Sequence, residues 1–559
     1  MSSTSNKPDY SAPASTTTTE PFATKSHDPA SHHVKGLKLA VLLGSLTLVT
    51  FLSFLDTSII GTAIPYITSD FHSLSDVGWY VGAYTLGAAI LQPLSGKLYT
   101  HFHTKSVFLS FVFLFEVGSL VCGLAPSSAV FIVGRAIAGL GVSGIFNGAL
   151  TIIAASVEKS KSPMYTGILF GVSQMGMVAG PLIGGGLTEH VTWRWCFYLN
   201  LPAGGVTAFT LTFIHFPEVI KKEPISFALL RKVAPELDLF GFVLFVPPSI
   251  LFILALQFGS GNTYNWNSTT VIGCLVSSGV LFVIFIMWEW KMGDRAMIPG
   301  NLLKIRIVWV SYAFGMCNAI CILVASNFLP TFFQAVKGEG PSLSGVHVLP
   351  SILSQLLFIM STGALVSKLG YYLPWAFGGS VILAVGNGLV STFSPTTSVE
   401  KWIGYQIVMG VGRGVILQLP LVAIQNAVAP PQIAIAMAIL VFIQNFGVSI
   451  GITIINAVFA QTLTKAIRRY APSVSPQAVL NAGSGADAVR DLVIGHEEEL
   501  NGILVAYSES LRNVFCILVG FSCAAVLLSL GMGWVDVRKK KETAKPTQDL
   551  EVQAEKVEG

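Results

Sequence analysis

The sequence has 559 residues, of which 52% are hydrophobic and only 11% are charged, with a mean hydropathy of +0.67. Soluble domains carry about 25% charged residues, so this composition excludes an ordinary soluble protein and indicates a membrane protein. The net charge of +4 is small and gives no reason to expect a nucleic-acid partner.

Apolar runs near twenty residues long recur along the chain, and we count about fourteen. Runs of this length cross a bilayer as helices, and they lack the alternating pattern of barrel strands. The predicted spans are 36–57, 79–99, 106–125, 129–152, 164–187, 196–216, 238–258, 271–290, 307–333, 343–366, 373–393, 402–426, 433–462 and 513–535. The first can continue past Pro65. The sequence therefore predicts an all-α polytopic membrane protein.

The spans divide into two six-span blocks that resemble each other. Arg135 is followed twelve residues later by Asn147, and Arg413 is followed twelve residues later by Gln425. A duplicated bundle with a site between its halves is typical of transporters. The predicted parts are a disordered tail (1–35), a first bundle (36–216), a linker with two additional spans (217–300), a second bundle (301–535) that includes a long loop (463–512), and a second tail (536–559).

The placement of basic residues predicts the orientation. One set of connections carries Lys97, Lys105, Lys159, Lys161, Lys221, Lys222, Arg231, Lys232, Lys291, Arg295, Lys304, Arg306 and Lys368, whereas the short opposite connections carry only Arg194, Lys337 and Lys401. Basic residues favour the cytoplasmic side, so we expect both termini in the cytoplasm and the loop 463–512 outside. The sequon Asn267-Ser268-Thr269 then falls on the outer side, where Asn267 is a candidate for glycosylation.

Few charged residues lie within the predicted spans. Arg135 and Arg413 are the only basic ones, and a charge at the centre of a membrane helix costs at least about 2.5–3.5 kcal/mol. Each arginine either extends to the membrane surface or faces a cavity, where it binds a carboxylate or modulates a proton site. Asp56 and Glu116 are the candidate proton carriers, because desolvation and a nearby arginine can tune a buried carboxyl group. The alternative is a local cap or an interhelical hydrogen bond.

The fifth span contains a stripe of glycines. Gly176, Gly180 and Gly184 recur every four residues, with Pro181 and Gly185 beside them. Such a stripe allows two helix backbones to approach closely.

Polar residues within spans are candidates for the lining of a substrate cavity. They are Asn147, Gln174, Gln355, Arg413, Gln418, Gln425 and Gln444. The amides among them can instead join helices by hydrogen bonds. His101 and His103 are interpreted as surface residues and not as metal ligands. No motif of a cofactor site or a membrane-embedded enzyme is recognised, so we expect neither a metal nor a cofactor.

Several of these motifs resemble a known family. GPLIGG is similar to the antiporter motif of the major facilitator superfamily, and GRAIAGLG is similar to its fourth-span motif, which carries the arginine. LDTSIIGTAIP and WRWCFYLNLPAG resemble its fourteen-span drug:proton antiporters, particularly fungal efflux pumps. One departure follows the second span, where Thr100 stands in place of the aspartate of the family's charge relay.

The resemblance implies a fold of two pseudo-symmetric six-helix bundles with two extra central helices. It implies a monomeric plasma-membrane antiporter that uses the proton gradient to export a small amphipathic toxin, secondary metabolite or drug. Alternatives are uptake or vacuolar transport of a metabolite such as an amino acid or siderophore, and a non-transporting sensor of the same fold.

Overall fold

The computed structural model describes residues 35–73, 76–214, 216, 218, 222–224, 226–260, 266–482, 486–491 and 497–538. Nearly all of the two predicted tails lies outside these residues. The described part of the chain is helical, apart from one antiparallel bridge between Tyr371 and Asp536.

The described residues of the first bundle form seven helices. They are α1 (Leu37–Phe71), α2 (Val77–His101), α3 (Thr104–Leu124), α4 (Ser128–Ser156), α5 (Ser162–His190), α6 (Trp195–Tyr198) and α7 (Asn200–Phe213). Helix α1 continues through Pro65 as expected. The predicted sixth span divides at Leu199 into α6 and α7, so its continuous helix is shorter than the sequence suggested.

The linker and second bundle follow the same chain order. The linker holds α8 (Phe227–Leu237), α9 (Leu239–Ser260), α10 (Thr269–Met292) and α11 (Gly300–Lys304). The second bundle holds α12 (Arg306–Thr331), α13 (Pro341–His347), α14 (Leu349–Leu369), α15 (Leu373–Val390), α16 (Val399–Ile416), α17 (Leu419–Ala427), α18 (Ile433–Tyr470), α19 (Pro476–Ala482), α20 (Ala486–Asp491) and α21 (Leu500–Ser529). A π-helical turn, Phe332–Val336, extends α12.

Helix packing repeats between the two bundles. In the first bundle α1 packs against α5, while α2 and α3 pack against α4. In the second, α12 packs against α18, while α14 and α15 pack against α16. The additional helices α9 and α10 pack against each other, and α9 also contacts α2 and α18. The predicted duplication and the central helix pair are therefore both present.

The span count and one loop differ from the prediction. Twelve helical segments within the described residues are long and apolar enough to cross a membrane. Helices α2 and α7 lie at predicted spans but are not among the twelve, so fourteen crossings remain a prediction. Helix α18 continues to Tyr470 and α21 begins at Leu500. The connection predicted as 463–512 is therefore shorter, because both helices extend beyond their apolar cores.

The two bundles are joined at one side, which we call the basic side because most connecting lysines and arginines lie there. The amide N–H of Met164 donates to Ser367 Oγ (3.1 Å), and Ser162 Oγ donates to Gln425 Oε1 (3.1 Å). One hydrophobic cluster near this side contains residues from both bundles. Two further clusters each belong to one bundle. The described contacts thus close the space between the bundles at the basic side.

Candidate functional site

A buried ion pair joins α1 and α4 in the first bundle. Arg135 Nη1 donates to Asp56 Oδ2 at 2.6 Å, and the two side chains are 1% and 0% exposed. The sequence predicted these two residues as parts of one site, and the fold brings them into direct contact. With so little exposure, the Arg135 guanidinium does not extend to the membrane surface in this conformation.

Helix α2 fixes the orientation of the arginine. Arg135 Nε donates to the backbone carbonyl of Tyr80 (2.9 Å), and the guanidinium carbon lies 4.2 Å from the ring centroid of Tyr84. A cation over an aromatic face gains about 0.5–2 kcal/mol, more when it is desolvated. Arg135 is therefore held by a carboxylate, a carbonyl and an aromatic ring, each from α1 or α2.

Asn200 at the start of α7 completes this network, and sequence reasoning did not select it as a site residue. Its Nδ2 lies 3.3 Å from Asp56 Oδ1 and 3.1 Å from Ser119 Oγ on α3. The signal available in the sequence was an amide within the apolar WRWCFYLNLPAG segment. The ion pair is thereby connected to three other helices, α2, α3 and α7, so a change in its charge alters contacts across the bundle.

Glu116, the second candidate proton carrier, lies on α3 one turn before Ser119. Both of its carboxyl oxygens are buried, and neither has a hydrogen-bond partner among the described residues. It faces α7 at Gly204, where an added Cβ would overlap the carboxyl group. A buried carboxyl group without partners is costly when ionised, which is consistent with a group that holds a proton.

The glycine stripe of α5 packs on α1, as its spacing predicted. A Cβ at Gly176 would lie 2.5 Å from the carbonyl oxygen of Phe51, and one at Gly180 would lie 2.7 Å from Ser58 Cβ. Ser58 Oγ also donates to the Met177 carbonyl (2.7 Å). Gly184 faces Thr62 in the same way, whereas Gly185 has open space around it and Pro181 is exposed.

Most of the predicted cavity amides join helices in this conformation. Gln355 Nε2 donates to Gln174 Oε1 (2.6 Å), which links α14 to α5 across the bundles. When the Asn147 amide is oriented so that both its oxygen and its nitrogen have hydrogen-bond partners, the nitrogen donates to the Ala434 carbonyl at 3.1 Å. Further contacts of this set are Gln418 with the Ile359 carbonyl, Gln425 with Ser162, and Gln444 with the Gly315 carbonyl. Their role in substrate binding stays a prediction.

Two lysines attach the linker to the basic end of α2. Lys97 is 3% exposed, and its Nζ donates to the carbonyls of Glu236 and Arg295, both at 2.7 Å. Lys222 Nζ donates to the carbonyls of Tyr99 (2.7 Å) and Phe102 (2.8 Å), at the end of α2. A cation at a helix C-terminus satisfies exposed carbonyls and the helix dipole.

Glu218 supplies the matching negative charge at the start of α3. It accepts from Thr104 N and Thr104 Oγ1, both at 2.8 Å, and pairs with Lys222 Nζ at 3.1 Å. Burial lowers the pKa of Lys222, and the Glu218 carboxylate partly offsets this. The loop after α2 lacks the family's aspartate at Thr100, and these linker residues place an ion pair at the same loop.

We expect Lys222→Ala to loosen the closure of the basic side, because it removes charge-assisted hydrogen bonds from the end of α2, the helix that packs against α18 of the second bundle. Loss of about 1.5 kcal/mol corresponds to roughly a tenfold change in an opening equilibrium. The measurement is the rate of thiol labelling of Ser367→Cys, in a background in which the exposed Cys516 and Cys523 are serines. The rate should rise about tenfold.

The control for this experiment is Lys232→Ala. Lys232 also pairs with a glutamate, Glu223, at 3.1 Å, but both side chains are more than half exposed. Exposed pairs contribute little, so labelling should stay at the wild-type rate. Equal labelling rates in the Lys222 and Lys232 variants would contradict a role for Lys222 in closure.

The remaining predicted site residues lie apart from the ion pair. Arg413 is buried in the second bundle, and Asn267 is exposed at the start of α10. His101 and His103 lie 3.7 Å and 3.6 Å from the carboxylates of Glu236 and Glu218. Within the described part of the chain, no group of three or more metal-ligating side chains gathers.

Comparison with known proteins places this arrangement among transporters. Residues 46–452 match the profile of the Major Facilitator Superfamily. The chain is 52% identical over 510 residues to the MFS-type transporter calB of Penicillium decumbens, with 91% of each chain covered. It is 45% identical to the efflux pump mlcE of Penicillium citrinum, over 92% of this chain and 93% of the pump. In fold it is similar to the solved proton:xylose symporter XylE (TM-score 0.56, 13% identity, covering 90% of this chain and 97% of XylE).

Proposed function

This chain belongs to the Major Facilitator Superfamily and is an efflux transporter, and we propose that it exchanges protons for a small amphipathic toxin, secondary metabolite or drug. The observation that best supports proton coupling is the buried ion pair of Asp56 and Arg135. Proton uptake by Asp56 would neutralise the carboxylate and leave Arg135 as a buried cation. Breaking a buried pair costs about 3–5 kcal/mol, enough to change which conformation of the bundle is favoured.

The two other parts of the site support a coupled cycle. Asn200 contacts both Asp56 and Ser119, so protonation of the carboxyl group would alter contacts between α1, α3 and α7. Glu116 lies one turn from Ser119 and is a second place for a proton. The bundles meet at the basic side, so substrate release towards the opposite side fits this conformation. Binding energy that differs between two conformations is what coupling requires.

The test is transport by the purified protein in vesicles with an imposed pH gradient, using a small library of toxins and drugs. With the basic side facing the medium, an acidic lumen should drive substrate into the vesicles, and a protonophore should stop this. Accumulation driven by the opposite gradient would indicate uptake instead. Absence of flux for every compound would favour a sensor of the same fold.

The proposed location is the plasma membrane, with the protein acting as a monomer and both termini in the cytoplasm; the vacuolar membrane is the alternative. We expect tags inserted at residues 10 and 550, which lie outside the described residues, to be protected from external protease in intact cells. Basic connections favour the cytoplasmic side, and Arg538, near the start of the second tail, contacts the carbonyl of Lys368 on that side. Cleavage of either tag in unbroken cells would contradict the cytoplasmic placement of that terminus.

A further inference from the structure

The second bundle contains a buried arginine without a carboxylate. Arg413 on α16 is 2% exposed and forms no ion pair with any described residue. Its Nη2 contacts Met409 Sδ at 3.3 Å, and its Nε has no hydrogen-bond partner in the described part of the chain. An uncompensated buried charge costs several kcal/mol, so this position requires a compensating group.

Polar groups from three other helices surround this position. Met409, which contacts the Arg413 guanidinium, packs against α15 at Gly386, the residue before Asn387, where an added Cβ would lie 2.5 Å from Met409 Cα. The Cys321 sulfur on α12 lies 3.6 Å from Ser522 Oγ on α21. Asn387 on α15 donates to the same Ser522 oxygen at 3.0 Å. Helices α12, α15, α16 and α21 thus converge on one polar cluster inside the bundle.

Asn318 adds a second unpartnered group to this cluster. It lies on α12 one turn before Cys321 and is 2% exposed, and both of its amide atoms lack partners among the described residues. Buried polar atoms in folded proteins are normally hydrogen-bonded. Asn318 Nδ2 and Arg413 Nε therefore offer N–H donors that no described residue uses, and a ligand with acceptor atoms would suit them.

The first bundle shows which group pairs with the corresponding arginine, because Arg135 pairs with the Asp56 carboxylate. Arg135 occupies the corresponding place on α4, and there Asn200 on α7 donates to Ser119 on α3. In the second bundle the amide and hydroxyl have exchanged helices, because Asn387 on α15 donates to Ser522 on α21. Both bundles thus contain an arginine and an amide–hydroxyl pair at these places. However, α12 has no counterpart of the Asp56 carboxylate within the cluster.

We infer that Arg413 and Asn318 form a binding site for a monovalent anion, which takes the role that the Asp56 carboxylate has in the first bundle. The guanidinium supplies charge and N–H donors, and the Asn318 amide supplies a further donor. The anion is either a free halide ion or the carboxylate group of a small acid such as a transported compound. This inference goes beyond the proposed function, because binding requires neither proton coupling nor transport.

The test measures the thermal stability of the purified full-length protein in sodium sulfate, a divalent anion, at constant ionic strength. Sodium chloride, sodium bromide or sodium acetate is then titrated in separate series. A ligand that binds only the folded protein raises its Tm in a saturable manner, and we expect a rise of at least about 2 °C. A response to the halides alone identifies a free ion, whereas a response to acetate alone identifies a carboxylate ligand.

Three variants test whether Arg413 causes the rise in Tm with added anion. Arg413→Met should abolish the response and should also raise the Tm in sodium sulfate alone, because it removes an uncompensated buried charge. Arg413→Lys should keep the response at a higher anion concentration, since charge remains and the planar fork is lost. Arg194→Gln, which changes a partly exposed arginine of the first bundle, should respond as the wild type does. A wild-type Tm insensitive to all three anions, or an undiminished response in Arg413→Met, would overturn the inference.

Discussion

Arg135→Met is expected to reduce proton-driven transport by at least about a hundredfold, because it leaves the Asp56 carboxylate buried without its partner. Asp56→Asn should have an effect of similar size on gradient-driven transport, since no titratable group then remains at that position. Arg135→Lys should retain partial activity, because the charge survives while the fork geometry of the guanidinium is lost. The measurement is vesicle transport driven by an imposed pH gradient.

Substrate exchange without a gradient separates a coupling role from a structural one. If Asp56 carries the proton, Asp56→Asn should still exchange labelled for unlabelled substrate when no pH gradient is present. The matched control is Arg194→Gln, because Arg194 and Asp70 also form a 2.9 Å pair but are 31% and 46% exposed. Exposed pairs contribute about 0–1 kcal/mol, so that variant should transport normally. Normal gradient-driven transport by Arg135→Met would exclude the pair from the coupling mechanism.

Gly180→Leu is expected to abolish transport while the protein still inserts into the membrane. A Cβ at this position would already lie 2.7 Å from Ser58 Cβ on α1, so a leucine must separate α5 from α1. Overpacking costs about 1–3 kcal/mol, which can shift the balance between conformations by roughly tenfold or more. Transport is measured in vesicles that contain equal amounts of inserted protein.

The same helix offers a control for bulk and hydrophobicity. Gly186 is exposed on α5, and an added Cβ there would have no atom within 4 Å. Gly186→Leu should therefore insert and transport as the wild type does. If both leucine variants transport equally well, close approach of α5 to α1 is not needed for function.

The sequence by itself determined the architecture, because a bilayer allows so few solutions. An apolar run near twenty residues must become a helix, since no water is present to satisfy its backbone. The same argument identifies Arg135 and Asp56 as functional candidates, because a charge in that environment is too costly without a purpose. The period of four between Gly176, Gly180 and Gly184 likewise predicts one helix face, and the structure places that face against α1.

Only the tertiary structure decided which polar residues meet. Asn200 reaches Asp56 from α7, and Glu218 and Lys222 reach the α2–α3 loop from a linker more than a hundred residues away. In the sequence, nothing distinguishes Gln355 and Gln174 from the other amides in predicted spans. Their contact becomes evident only from the packing of α14 against α5. The physical reason is that hydropathy and helical period depend on neighbours in sequence, whereas the partner of a buried polar group depends on the rotation and crossing of separate helices.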